Sequence, residues 1–255
     1  NELTKLPTIH FDLVTITGRP TSLKTRFRAG SQQILRVDDE VTSDIDDAAA
    51  EQFSKYALPA VQDADLVVLS DYAKGALPIL LVEKIIAHAK AKGKMIIADP
   101  KRADISVYSG VDLLTPNLAE LQNTTDQILS SIEAIGQAAT ALAKEFGIGS
   151  ILTTMSARGM MLSKADGTQF HDPASARDIF DVSGAGDTVV AMVAGALIAG
   201  ADLEDAVRLA NHAAGVAVGK SGTAIVAPGE VLAHLAGAPP PTDWPSIAMQ
   251  CTNWR

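Results

Sequence analysis

The residues best suited by type and order to do chemistry are Asp181-Val182-Ser183-Gly184-Ala185-Gly186-Asp187-Thr188, which run straight into a long apolar stretch. Small residues and glycines ahead of a helix let backbone N–H groups converge at its N-terminus. There the unpaired donors and the dipole favour an anion, such as a phosphoryl group in transfer. Gly184, Ala185 and Gly186 would supply those amides. A carboxylate beside an anion hole repels phosphate unless it has a task, and the natural task for Asp187 is to take the proton of an attacking hydroxyl. The plainer alternative is that Asp187 only stabilises the helix N-terminus, where Asp is favoured.

Such a site must be held by a scaffold, and the chain shows one from about residue 60 onward. Short β-rich runs alternate with longer helical patterns, the mark of an α/β protein with a largely parallel sheet. Strands are expected at 66–69, 95–98, 111–114 and 150–154, with helices at 80–92 and 131–146 between them. Each strand ends in polar residues: Ser70-Asp71, Asp99-Pro100, Thr115-Pro116-Asn117 and Met155-Ser156. Ligands of open parallel sheets bind beyond the carboxyl ends of the strands. Residues 159–170 read as a hairpin turning at Asp166-Gly167. The stretch 188–199 reads as a helix buried on all sides, and 203–218 as an amphipathic one. Residues 11–16, 23–27 and 33–37 alternate like strands, suggesting a small appended sheet. The expected division is a lid-like β segment at 1–43, an α/β core at 44–236 and a tail at 237–255.

Composition narrows the class. Of 255 residues, 47% are apolar, and 21 Lys+Arg against 30 Asp+Glu leave a net charge of −9. An acidic chain without a basic block lacks the footprint of a nucleic-acid or anionic-membrane binder. The single cysteine, Cys251, fits a reducing, cytoplasmic setting. The apolar run 189–201 is shorter than the ~20 residues a bilayer needs. The chain opens on Asn1 rather than Met, as a fragment or processed chain would.

Three motifs resolve into decoys. Gly215-Val216-Ala217-Val218-Gly219-Lys220-Ser221 has three residues between its glycines where a phosphate-binding P-loop needs four, and it follows a helix. Gly184-Ala185-Gly186 lacks the third glycine of a dinucleotide fingerprint. The five histidines show no metal-ligand spacing.

Taken together, residues 181–187 resemble the C-terminal signature of the PfkB/ribokinase family of carbohydrate kinases, with Ser183 where Thr is common. Ser70-Asp71-Tyr72-Ala73-Lys74-Gly75, Asp99-Pro100-Lys101, Thr115-Pro116-Asn117-Leu118-Ala119-Glu120 and Asn211-His212-Ala213-Ala214-Gly215 follow in the family's order. The resemblance spans roughly residues 20 to 230 and implies a ribokinase-like fold with ATP and Mg²⁺. Asp187 would be the base and the amides of Gly184, Ala185 and Gly186 the anion hole. Asn117 and Glu120 match the Asn-x-x-Glu element that places magnesium-bound phosphates, Glu120 acting through water; the same spacing also fits a capping box. Thr154, Ser156 and Gly159 match the nucleotide loop, and Asn211 and Gly215 the helix beside the adenine. Gly159 could equally be a turn glycine and Asn211 a satisfied polar group.

Within the family, the Asp71-Tyr72-Ala73-Lys74-Gly75 and Asp99-Pro100-Lys101 blocks, with Gln32-Gln33, Arg36-Val37-Asp38 and the 218–223 segment, are similar to the branch that phosphorylates heptose 7-phosphate. That resemblance puts Asp71, Lys74 and Lys101 toward the acceptor or the transferring group, with Lys74 alternatively a surface cation. Lys24, Arg26, Gln33 and Arg36 on the lid would neutralise a 7-phosphate, or else form a solvated surface or a homodimer interface. Asp181 and Ser183 resemble a monovalent-cation (K⁺) site of some members. Other acceptors consistent with the family are ribose, fructose or a hexose phosphate, and an inactive nucleotide-binding remnant is the alternative of a different class. The family's strand-rich amino-terminal segment with its Gly-Gly motif has no counterpart in this sequence, so an exposed sheet edge is expected.

Overall fold

The computed structural model describes residues 9–29, 32–175, 182–220, 222 and 224–237, with the side chains of Arg28, Gln32 and Gln33 also left undescribed. The chain begins its regular structure with two strands, β1 (Leu23–Ala29) and β2 (Gln32–Asp39), paired antiparallel as a separate sheet. Residues 11–16, expected as a third strand, form none. Alternation alone makes no ladder, and neither strand of this sheet offers them a partner.

The remaining elements are α1 (Asp47–Asp63), β3 (Leu66–Ser70), α2 (Ile79–Ala91), β4 (Met95–Asp99), β5 (Leu113–Leu114), α3 (Leu118–Thr125), α4 (Ile132–Glu145), β6 (Ser150–Thr154), β7 (Met160–Lys164), β8 (Gln169–Asp172), α5 (Ala185–Ile198), α6 (Leu203–Val218) and α7 (Pro228–Ala236). Strands β3 to β8 lie in chain order in one sheet. β3 through β6 are parallel, while β7 and β8 add antiparallel edges through the expected Asp166-Gly167 turn.

Period-two alternation sorts the strands' side chains into two cores. Ile96, Ala98, Leu114 and Ile151 pack with α1 to α4. Ile97, Leu113, Leu152 and Leu162 pack with α5, α6 and α7. Helix α5 covers the second face through Val189, Val190, Val193 and Ala196, but it is not buried all round: Ile198 is 51% exposed. Its apolar composition exceeds what the single covered stripe needs. At the other edge of the sheet, Val68 of β3 is 41% exposed, and β3 has no outer partner strand among the described residues.

The two-stranded sheet is tied to the core at one junction. Arg19 donates to the carbonyls of Ser43 (2.8 Å), Val41 (3.2 Å) and Lys74 (2.5 Å), and the Ile45 amide donates to Gly75 O at 2.9 Å. Lys74 Nζ reaches Glu40 at the end of β2.

Candidate active site

All the parallel strands deliver their polar ends to one side of the sheet. The ladder continues past β5, where Thr115 N donates to Ala98 O, Thr154 N to Pro116 O, and Asn117 bridges Thr154. Asn117 then starts α3. Its side chain accepts from the Glu120 amide at 2.9 Å, and Glu120 Oε2 accepts from the Asn117 amide at 2.7 Å. The capping box is therefore present, and it holds the Glu120 carboxylate whose Oε1 also lies 3.2 Å from Lys101 Nζ.

Lys101 also donates to both oxygens of Asp99, at 3.1 and 3.2 Å. Burial pushes the Asp99 carboxyl above its ordinary range, and the nearby Glu120 and Asp187 charges add to this, outweighing the pull of Lys101. Burial also opposes the charge on Lys101, but Asp99 and Glu120 together hold its pKa above the ordinary lysine value. Two carboxylates, Asp99 and Glu120, thus share one ammonium, leaving local negative charge for a further cation to balance. Among the described residues no three metal-ligating side chains converge on one point. The oxygen-only donors of Glu120 and Asn117 fit Mg²⁺, which keeps most of its waters and binds through phosphates.

Gly184 caps α5 with φ +80°, a left-handed conformation that only glycine adopts without cost. Ala185, Gly186 and Asp187 follow as its first turn, whose amides have no acceptor within the helix. The Ala185 amide makes a long 3.3 Å bond to Val182 O, which leaves Gly184 and Gly186 as the donors better placed for an anion. Asp187 is exposed, and Tyr72 Oη donates to its Oδ1 at 3.0 Å.

A cleft of about 670 Å³ unites all seven expected nucleotide residues: Asn117, Glu120, Thr154, Ser156, Gly159, Asn211 and Gly215 line it together with Lys101, Ala185 and Gly186. Its volume suits a drug-sized or nucleotide ligand. Gly159 is also a required turn glycine: at φ +81° a Cβ there would lie 2.0 Å from Asp172 O. Asn211 is 5% exposed and donates to Asp172 Oδ2 (2.6 Å) and Pro173 O (2.7 Å), so it pins the segment after β8 to α6. Asp187 lines a second cavity of about 400 Å³, beside Met192, Leu209, Ile225 and Val231. Apart from Asp187 and Thr188 that lining is apolar.

Asp71 requires a correction. It is 2% exposed, and its carboxylate is consumed by Arg102 Nε (2.6 Å), Tyr108 Oη (2.7 Å) and the Ala73 amide (2.8 Å), so it organises the loop rather than meeting an acceptor. Lys74 likewise pairs with Glu40, which also holds Lys24 at 3.0 Å. The Lys74 ammonium, then that of Lys24, keeps the Glu40 carboxyl below its usual range. Arg36 makes a two-pronged contact with Asp38 at 2.7 and 2.5 Å, and that contact is the main reason the Asp38 carboxyl lies at about 2. Arg26 stands directly across the ladder from Arg36, and Lys24 from Asp38, so these four share one face. The side chain of Gln33 and all of Asp181 lie outside the described residues. Ser183 is half-buried just before the α5 cap. Residue type and spacing give Arg102, Tyr108 and Glu40 no signal of a role in sequence. Tyr72 alone carried a local signal, sitting beside a strand-end carboxylate.

The fold is that of an α/β protein with an open cleft at the carboxyl end of its parallel strands. The family model for pfkB family carbohydrate kinases matches residues 7–229, and the chain belongs to that family. It is 44% identical over 238 residues to bifunctional protein HldE of Paramagnetospirillum magneticum, covering 92% of this chain and 49% of that protein. It is 45% identical over 226 residues to the protein of the same name from Halorhodospira halophila, covering 89% and 46%. The chain thus spans about half the length of the curated relatives it matches. Among solved structures, Escherichia coli phosphofructokinase-2 in complex with potassium superposes with a TM-score of 0.71 at 18% identity, covering 86% of this chain and 71% of that one. Arabidopsis thaliana ribokinase complexed with ribose and ATP gives 0.65 at 22%, covering 79% and 65%. These confirm the ribokinase-like fold. Among the described residues, no helix is long and apolar enough to cross a membrane.

Proposed function

We propose that this chain is an ATP-dependent sugar kinase that phosphorylates the anomeric hydroxyl of D-glycero-D-manno-heptose 7-phosphate, making the 1,7-bisphosphate, a step in ADP-heptose formation for lipopolysaccharide. The observation that carries the reading is the exposed Asp187 carboxylate in the first turn of α5, next to amides that line the 670 Å³ cleft. The acceptor is argued from the 44% identity to the HldE protein.

In this mechanism Asp187 takes the hydroxyl proton as the acceptor oxygen bonds to the γ-phosphorus. The bond from that phosphorus to the β–γ bridging oxygen breaks, and ADP leaves. The first-turn amides of α5 receive the charge of the transferred group, and Lys101 neutralises phosphate oxygens. Bound Mg²⁺ would supply charge neutralisation on the phosphates, held through water by Glu120 and Asn117. Asn211, Gly215, Thr154, Ser156 and Gly159 form the nucleoside end of the cleft. Lys24, Arg26, Gln33 and Arg36 are the lid residues for the 7-phosphate. Of these, Arg26 stands across the ladder from Arg36, whose guanidinium would have to leave Asp38 to join it on a dianion.

Asp181 and Ser183 would hold K⁺ ahead of the anion hole. The opposite face of the lid exposes Leu23, Phe27, Leu35 and Val37, which suits a homodimer through the lid strands. The test is ADP release with a panel of acceptors, in the wild type and in Asp187→Asn.

A further inference from the structure

Resting on the kinase reading, we infer that Tyr72 is a positioning residue that orients the Asp187 carboxylate for proton abstraction. A general base on an exposed side chain swings between rotamers unless one oxygen is held. Here Tyr72 Oη donates to Oδ1 at 3.0 Å from the loop after β3, 115 residues away in sequence. Oδ1 is thereby occupied, and Oδ2 is left for the acceptor hydroxyl.

The tyrosine is itself firmly placed. The Asp71 amide donates to Asp99 O at 3.1 Å, continuing the β3–β4 ladder by one residue. The Asp71 carboxylate closes a turn on the Ala73 amide at 2.8 Å, and Ala73 sits at φ +51°, a strained value for a residue with a Cβ. Arg102 locks that carboxylate and also donates to Leu77 O at 2.6 Å. A loop built around a buried ion pair thus holds one half-exposed phenol against the base; Tyr72 is 48% exposed. Partial burial, and then the bond to Asp187, raise the Tyr72 phenol above its ordinary value, so it stays a proton donor across the working pH range.

The experiment is a double-mutant cycle on the full chain with Tyr72→Phe and Asp187→Asn. Tyr72→Phe keeps the ring and should lower kcat by about 10- to 100-fold, the size of one hydrogen bond to a charged group, with KM for ATP within about twofold. In the Asp187→Asn background the same change should cost less than about twofold, because there is no longer a base to orient. Equal losses in both backgrounds, or a single-mutant kcat within about twofold of wild type, overturn the inference.

Wild-type turnover judges the kinase reading separately. If it is absent, ultraviolet titration of the tyrosines decides the contact. One phenol ionising at lower pH in Asp187→Asn than in wild type supports the inference, and superimposable titrations overturn it.

Discussion

Arg102 Nε donates to Asp71 Oδ2 at 2.6 Å, and this largely buried pair anchors the chain at Asp71, one position before the tyrosine that reaches Asp187. Removing Arg102 strands a buried carboxylate, so Arg102→Ala should destabilise the chain by about 3–5 kcal/mol. Tyr108→Phe removes one bond to a charge and should cost about 1.5–3 kcal/mol. Urea unfolding midpoints check both. Values below about 0.5 kcal/mol would show that the Asp71 hub contributes nothing to the loop.

The capping box at α3 predicts a split effect. Asn117→Ala removes the side-chain acceptor of the Glu120 backbone N–H and should cost about 1 kcal/mol of stability and, because Asn117 lines the cleft, raise KM for ATP. Glu120→Gln should raise the Mg²⁺ concentration giving half-maximal rate. Titration of rate against Mg²⁺ at fixed ATP distinguishes this from a purely structural cap, which would leave the metal dependence unchanged.

His212 on α6 places Nδ1 3.0 Å from His234 Nδ1 on α7, and burial, then the His234 charge, lowers its pKa from the ordinary 6.5. The unfolded chain therefore binds this proton more readily than the folded one. The stability this group contributes is present above pH 6.5 and is lost as pH falls through the lower folded value. The melting temperature should drop between pH 7.5 and 5.5, and His212→Gln should flatten the drop. A parallel profile in that variant would contradict the coupling.

On the lid, Arg26→Ala should raise KM for a 7-phosphorylated acceptor by about 10- to 100-fold, as expected for a lost bond to a phosphate. KM for ATP should stay put. Equal changes for both substrates would place Arg26 away from the phosphate.

The α/β order was legible because apolar runs and polar strand ends recur, and because Asp166-Gly167 admits a tight turn. The cluster of Asn117, Glu120, Thr154 and Gly215 around one cleft followed from the family resemblance and the order of its motifs. What stayed illegible was partnership. Asp71 looked substrate-facing because Arg102 and Tyr108, which absorb it, are 31 and 37 positions away. Lys24, Lys74 and Arg36 looked available for phosphate because Glu40 and Asp38 carried no signal beyond their charge. Residues 11–16 alternate like a strand, yet only a neighbouring ladder makes one.

The most direct measurement is ADP release from ATP·Mg²⁺ with D-glycero-D-manno-heptose 7-phosphate, beside ribose and fructose 6-phosphate, in wild type and Asp187→Asn. Turnover is expected with the heptose phosphate alone, falling by about 10²–10⁴-fold in the variant. Turnover with a different sugar only, no turnover with any acceptor, or a variant within a few-fold of wild type would contradict the assignment of this chain as a heptose 7-phosphate kinase with Asp187 as its base.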